Sequence, residues 1–529
     1  MRSYYSHLQS TKSIGEDILI AQKPTFRSSA VFPVLHTKDY STKILFMGYW
    51  LLKRQISEIG LLYTLRASDG TILSRKYLMI NTVKAFSIDL SEFTEELKSK
   101  ANVDDFKGSL ELEIFSTKDL VFPYPAFVLV YYNEGFSTAV HTVGRIYNDI
   151  EDLTANEEYK VREAGFDIYG KPRFTSFIAF TNGPKKNYRP LLNFKVINSD
   201  GKEFSTEVEL KKLSAYETVF LKLNECINLF EILGDRPGTV KLEHNFEGFF
   251  PRFVVGNFEN EAKSISITHS FYDSSELADS KSFWNRKDEK FNDCSILVPL
   301  FLKNGYYTHL ALYPIFSPSD FTLSFDFYDG GGQKVGKITN YEVIRSSENK
   351  YEIIDFNMIA MDGCNLDSIA SANIICNWED KEKIPTRLKF GLNIGKVNSK
   401  VKLPSNICFA PQLGNPNILK KTGTFHWAPF INIGNSEVVF TNSAPLKVYQ
   451  MEARIKAIFH REQDNNNIER EFKLPAFGIK RISISEDREL NSFLQDSTGW
   501  ISATSENPYI YGWYFDFHEN GSVAADHFF

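Results

Sequence analysis

Along most of this chain apolar and polar side chains alternate with a period of two, in short runs such as LLYTLRA (61–67), VFLKL (219–223) and YIYGWYFDF (509–517). Alternation of that kind places successive side chains on opposite faces of a half-buried strand. Gly, Pro, Asn or Asp interrupts it about every 8–12 residues, the punctuation of an antiparallel sandwich or barrel. Helical periodicity is confined to SEFTEELKSKANVDDF (91–106) and ELNSFLQD (489–496), which predict two short helices.

Four local signatures recur in constant order. The first is a hairpin: Ser-Asp-Gly joins two alternating runs in 61–78 and 191–210, Asp-Gly does so in 323–338, and an Asn-rich loop replaces it in 453–474. Asp-Gly predicts a tight type I′ turn. Gly70, Gly201 and Gly330 then mark steps of 131 and 129 residues. A short strand leading into a polar turn follows each hairpin (85–93, 219–227, 352–360, 481–490). Next comes a strand that often opens on Gly (108–115, 238–246, 371–380, 499–507). The fourth signature is a proline turn feeding an aromatic strand, and Pro125, Pro251, Pro385 and Pro508 are 126, 134 and 123 residues apart. Independent landmarks thus agree on one period, the mark of internal duplication.

The copies also open alike, on strand, Pro, loop and strand (30–50, 295–316, 426–445), whereas copy two (176–194) is truncated there. Charged or Pro/Gly-containing linkers fall at 148–165, 273–293 and 411–424. The predicted fold is all-β, four tandem antiparallel β-sandwich repeats, immunoglobulin-like or jelly-roll-like, with few short helices. The boundaries are an N-terminal segment 1–25, then repeats 26–150, 166–280, 290–413 and 420–529. Periodicity does not distinguish a string from a pair or a ring.

Composition narrows the partners. A net charge of −6 spread along the chain offers no basic surface for a phosphate backbone, so nucleic acid is not expected. The 45 Phe and 25 Tyr reinforce the β reading. No apolar run reaches the roughly 20 residues of a spanning helix, so membrane insertion is not expected. The first twenty residues hold no apolar stretch of signal-peptide length, which places the protein in the cytoplasm with leaderless export left open. The cysteines, Cys226, Cys294, Cys364, Cys376 and Cys408, are odd in number and scattered without CxxC, so they read as thiols rather than disulfides or a zinc site.

Past the fourth signature, copies one, two and four arrive at His141, His269 and His527, with Asp526 beside the last; copy three has Cys408 nearest. Imidazole is a common metal ligand, which makes the three histidines a candidate metal set. They converge only if the copies pack around a shared axis. Asp526 and His527, as strand neighbours, are expected on opposite faces. The preferred reading is therefore that each histidine ends a strand and bonds a nearby backbone carbonyl. Tyr509, Tyr511, Trp513, Tyr306 and Tyr307 are candidate ligand-binding rings on which a sugar could stack. GGGQKVG (330–336) lacks the helix of a phosphate cradle, and no GxSxG, P-loop, HExxH or dinucleotide fingerprint occurs.

These observations favour a non-catalytic repeat protein without a cofactor, acting in recognition or assembly on a glycan, a protein or its own subunits as a homo-oligomer. One alternative is an enzyme with a metal- or histidine-dependent site at a junction between repeats, drawing on His36, His141, His269 or His309. Another is an accessory subunit of surface carbohydrate biosynthesis or export.

Overall fold

The computed structural model describes residues 26–100, 105–118, 120, 126–141, 144–145, 163–164, 166–272, 283–284, 288–314, 317, 319–348, 351–359, 366–382, 384–385, 388–417 and 421–529. The segment 1–25, Pro125, Cys364 and most of the first two expected linkers lie outside these residues.

Copy one builds the unit. Its strands are β1 (Phe26–Thr37), β2 (Ser41–Met47), β3 (Ile59–Ala67), β4 (Ile72–Ile80), β5 (Ala85–Asp89), β6 (Asp105–Ser116), β7 (Val128–Asn133) and β8 (Phe136–His141). One sheet runs β1-β6-β3-β4 and carries the hairpin; the other runs β5-β2-β7-β8 and ends on the final strand. The same two orders recur in copies three and four, and copy two keeps them with a shortened opening. There the long first strand shrinks to Asp167–Ile168, with Glu163–Ala164 pairing alongside. The protein is thus a set of repeated antiparallel β-sandwiches. Apolar residues that alternate along each strand, such as Leu61, Leu65, Leu110, Leu112 and Ile114, face each other between the sheets and are buried.

After the fifth strand every copy makes a short helix: Leu90–Phe93 and Thr94–Lys100, Leu223–Cys226 and Leu229–Leu233, Phe356–Ile359, and Arg488–Leu494. Only the first and last are long enough to show a helical period in sequence. Among the described residues no helix is long and apolar enough to cross a membrane.

The hairpins correct the turn expected from Asp-Gly. A type I′ turn needs positive φ at both central residues, but only Gly70, Gly201 and Gly332 have it, at 89°, 77° and 83°. Gly70 N–H donates to Ala67 O and Ala67 N–H donates to Thr71 O, a type I turn closed by a glycine bulge. Asn198–Lys202 and Asp329–Gln333 repeat that bonding. The equivalent glycine of copy three is therefore Gly332, not Gly330, and both steps become 131 residues.

These hairpin tips join neighbouring copies. A Cβ on Gly70 would stand 2.2 Å from Ala215 O of copy two, and one on Gly332 2.2 Å from Ala476 O of copy four. Beside them Thr218 N–H donates to Ser68 O and Ile479 N–H to Gly330 O. Copies one and two thus pair as copies three and four do.

The four final strands close the assembly. β8 packs against Ser264–His269 of copy two, that strand against Ser405–Phe409 of copy three, that one against Val523–His527 of copy four, and the last against β8. The result is a ring with one final strand from each copy on its axis. Small hydroxyl side chains allow the close approach: Ile267 N–H donates to Thr138 Oγ1 (3.0 Å), Ser266 Oγ to Pro404 O (2.6 Å) and Ser522 Oγ to Ser137 O (3.4 Å). Between copies one and four the seam is also packed by aromatics. Tyr49 stacks on Trp427 at 4.7 Å, and Trp427 stacks on Phe529 at 5.8 Å. One buried apolar cluster runs through copies one and four and takes in Phe177, Ile265 and Ile267 of copy two.

Gly332→Ala should therefore destabilise by about 1–3 kcal/mol through strain at positive φ and the clash with copy four, while Gly330→Ala, with no atom within 4 Å of the new carbon, should be near neutral. Thermal melts of the two variants decide it; equal melting temperatures would refute the assigned turn.

Candidate functional site

The ring carries the last residue of three final strands to its axis. The His141 ring lies 4.6 Å from the His269 ring and 4.7 Å from the His527 ring, centroid to centroid. Two of the three bond strand-end carbonyls, His269 Nδ1 at 2.8 Å from Ser270 O and His527 Nδ1 at 2.8 Å from Phe528 O, whereas His141 bonds the Asp526 carboxylate. They also converge, because the copies share an axis.

Asp526 organises the group. His141 Nδ1 is 2.7 Å from Asp526 Oδ2, to which the His141 backbone N–H also donates at 3.0 Å, and the His527 N–H donates to Oδ1 at 2.8 Å. Asp526 and His527 were expected on opposite faces; instead His141, Asp526 and His527 each offer a ligand atom, all within 4.8 Å of one another. The reason is local. His527 is the last residue of its strand, and its Nδ1 bond to Phe528 O turns the ring back towards Asp526.

Hydrogen-bond partners assign the tautomers. The acceptors at Nδ1 of His269 and His527 are backbone carbonyls, so there Nδ1 carries the proton and Nε2 keeps a lone pair, whereas His141 turns Nδ1 to the Asp526 carboxylate, and an ion between those two would take the place of the proton they share. Arg252 Nη2 lies 3.1 Å from His269 Nδ1 and 3.2 Å from Nε2, so the guanidinium takes up the space beside this ring. Nε2 of His527 and the His141 Nδ1–Asp526 pair are the atoms left for a ligand. Burial would raise the Asp526 carboxyl, but the attraction and hydrogen bond of His141, with His527, outweigh it and hold the group at about 2. Burial brings His527 down to about 4 against the pull of Asp526. Burial, reinforced by Arg252 and His141, depresses His269 well below the usual imidazole range.

Copy three supplies Cys408 in the histidine's place. Burial pushes its thiol up to about 11, so it stays protonated. Lys389 lies in the electrostatic reach of His269, His527 and Cys408. Sequence pattern alone missed Arg252 and Lys389; Arg252 directly follows Pro251 in the fourth signature, which was read only as a turn.

The aromatic candidates sit elsewhere. Tyr509 is buried with Tyr449 and Ala444, and Trp513 is buried in the core shared by copies three and four, so neither presents a face to a sugar. Trp513 lies on the strand Ile510–Phe517, which is buried on both sides, and Tyr509 lies in the turn before it. Tyr511 is partly buried, 6.1 Å from the His527 ring. Tyr306 packs edge-on to Phe517 and Tyr307 stacks on His309 at 4.4 Å. His309 Nε2 lies 3.6 Å from Asp355, and His36 Nδ1 lies 2.9 Å from Ser41 Oγ, so both are held within their own copies.

Chemically, two imidazoles and a carboxylate form a donor set for a divalent transition metal such as zinc. Bond lengths near 2.0–2.1 Å at tetrahedral angles put ligand atoms about 3.4 Å apart, so separations up to 4.8 Å need only side-chain adjustment. No protein-family model and no curated protein matches this sequence.

The buried neutral imidazoles set an acid limit. His244, His460 and His527 titrate near 4 in the folded chain against 6.5 unfolded. Below 6.5 the unfolded state binds the extra protons, so stability is fully present above pH 6.5 and is lost as pH falls towards 4. His527 contributes about 3 kcal/mol of that loss. Melting temperatures in EDTA from about pH 7.5 to 4.5 should fall steeply, and His527→Gln should flatten the profile; parallel profiles would contradict a buried neutral His527.

Proposed function

We propose that this protein is a non-catalytic ring scaffold for recognition or assembly, fastened at its axis by a divalent transition-metal ion held by His141, Asp526 and His527. The observation that carries the reading is where those residues come from. His141 belongs to copy one, Asp526 and His527 to copy four, and the seam between these copies is the one step around the ring that no linker bridges. An ion bound by both sides would cross-link the first and fourth copies, and its binding free energy would add to the stability of the closed form.

Burial of the axis favours a structural ion over a catalytic one, since Asp526 is enclosed and His141 nearly so. The outer edges support an assembly role. On the fourth strand of each of three copies large apolar side chains stand in solvent, Tyr77 at 60% exposure with Ile72 and Met79, Phe204, and Tyr341 with Val343. Edge strands bearing such groups are templates for other protein chains, which favours a protein partner or a further subunit over a glycan. Arg252 and Lys389 beside the axis keep the enzymatic alternative, in which the ion polarises an anionic substrate between them.

Metal analysis of the chain reconstituted with zinc, followed by dialysis, tests the scaffold. It should retain close to one equivalent, EDTA should lower its melting temperature, and Asp526→Ala or His527→Ala should abolish both effects while His269→Ala retains them. Substoichiometric metal with a melting temperature indifferent to EDTA would overturn the proposal. Turnover requiring Arg252 would replace the structural reading with the catalytic one.

A further inference from the structure

A second polar centre lies at the junction of copies two and three. Asp167, in the shortened opening strand of copy two, is buried against copy three. Tyr351 donates its hydroxyl to Oδ1 at 2.8 Å, and Asn393 and Asn406 donate side-chain N–H groups to Oδ2 at 2.5 and 3.3 Å. The Tyr313 hydroxyl is a fourth donor, and all four are neutral. Among the described residues no Lys, Arg or His forms a salt bridge with Asp167. Burial pushes the carboxyl up, and the donated hydrogen bonds only partly oppose this.

The same junction contains a small cavity walled by Asp167, Asn257, Ser266, Thr268 and Asn406, with about 10 Å³ open to the centre of a water-sized sphere. That is about the room one water or one dehydrated ion needs. Asn406 fixes what the occupant must be. Its amide N–H₂ has acceptors in Tyr313 OH (2.7 Å), Asn393 Oδ1 (2.7 Å) and Asp167. Reversing the amide would set its oxygen against two other oxygens, so the orientation is fixed. Asn406 Oδ1 is then left buried and without a donor. Asn257 directs its amide to the Asp167 backbone carbonyl at 2.8 Å instead.

We propose that this cavity binds one dehydrated alkali-metal cation, Na⁺ or K⁺, between Asp167 and Asn406, locking copy two to copy three. A water would satisfy Asn406 Oδ1 but would bring no counter-charge to the buried carboxyl, whereas a cation would hold it ionised. Hard oxygen donors suit a hard cation. A single carboxylate matches one positive charge, whereas calcium takes 6–8 oxygens and usually several carboxylates. The site is separate from the axial histidines and does not depend on them.

The test uses the full chain in EDTA, so that transition metals are absent, at about 0.15 M NaCl, KCl or choline chloride. The melting temperature should be at least about 2 °C higher in Na⁺ or K⁺ than in choline, and the preferred ion identifies the occupant. Asp167→Asn should erase the difference. Crystals soaked in thallium(I) should show an anomalous peak between Asp167 and Asn406, a readout independent of whether the variant folds. Equal melting temperatures in the three salts, or ordered water with no thallium peak, would overturn the proposal and would leave the zinc reading untouched.

Discussion

The structure depends on four final strands packing side by side on one axis. A strand in that position has no solvent face, and β8 and its counterparts are almost entirely buried. Two constraints follow. Side chains turned towards neighbouring copies must be small, and buried polar groups must be paired. Thr138, Ser266 and Ser522 meet both, because a short hydroxyl fits between strands and bonds a backbone group across the junction, and Ser137 Oγ donates to the Asp516 carboxylate. Phe or Leu at those positions would force the strands apart and open the ring.

The same packing explains the electrostatics of the axis. A histidine ending a strand in an isolated sandwich would reach solvent and titrate as an ordinary imidazole. On the axis three such rings come together, and their charged forms lose hydration and repel one another, so burial lowers His269 and His527. Asp526 stays ionised because the donors of copy one and its own strand end aim at it. Neither property belongs to a single repeat.

Much of the fold was legible in the sequence because strand alternation and turn glycines are local. The hairpins, the aromatic strands and the truncation of copy two all follow from neighbouring residues. Even so, the choice of Gly330 over Gly332 shows the limit: three adjacent glycines look alike until hydrogen bonds show which one takes the left-handed conformation. The aromatic run 507–518 shows a related limit. Alternation says that one face is buried, but Trp513 lies where copies three and four share a core, so both faces are. The axial site was half legible. Repeat spacing picked out His141, His269 and His527, while their convergence depends on a ring closure that no local pattern encodes.

Duplication with later divergence accounts for the asymmetry of the centre. Four identical copies would present four equivalent histidines. Instead copy three has Cys408, copy two's His269 lies against Arg252, and the His141–Asp526–His527 group is drawn from copies one and four. Those copies flank the seam, where closure brings together segments several hundred residues apart and carries a loop-closure entropy cost that the linker-joined steps largely avoid. The strongest junction chemistry is concentrated there: the Tyr49–Trp427–Phe529 stack, the Asp516 carboxylate accepting from Ser137 and Ser436, and the His141–Asp526 bond. Where linkers already hold neighbours together, a hairpin tip or a buried carboxylate is enough, and the histidine is free to be replaced.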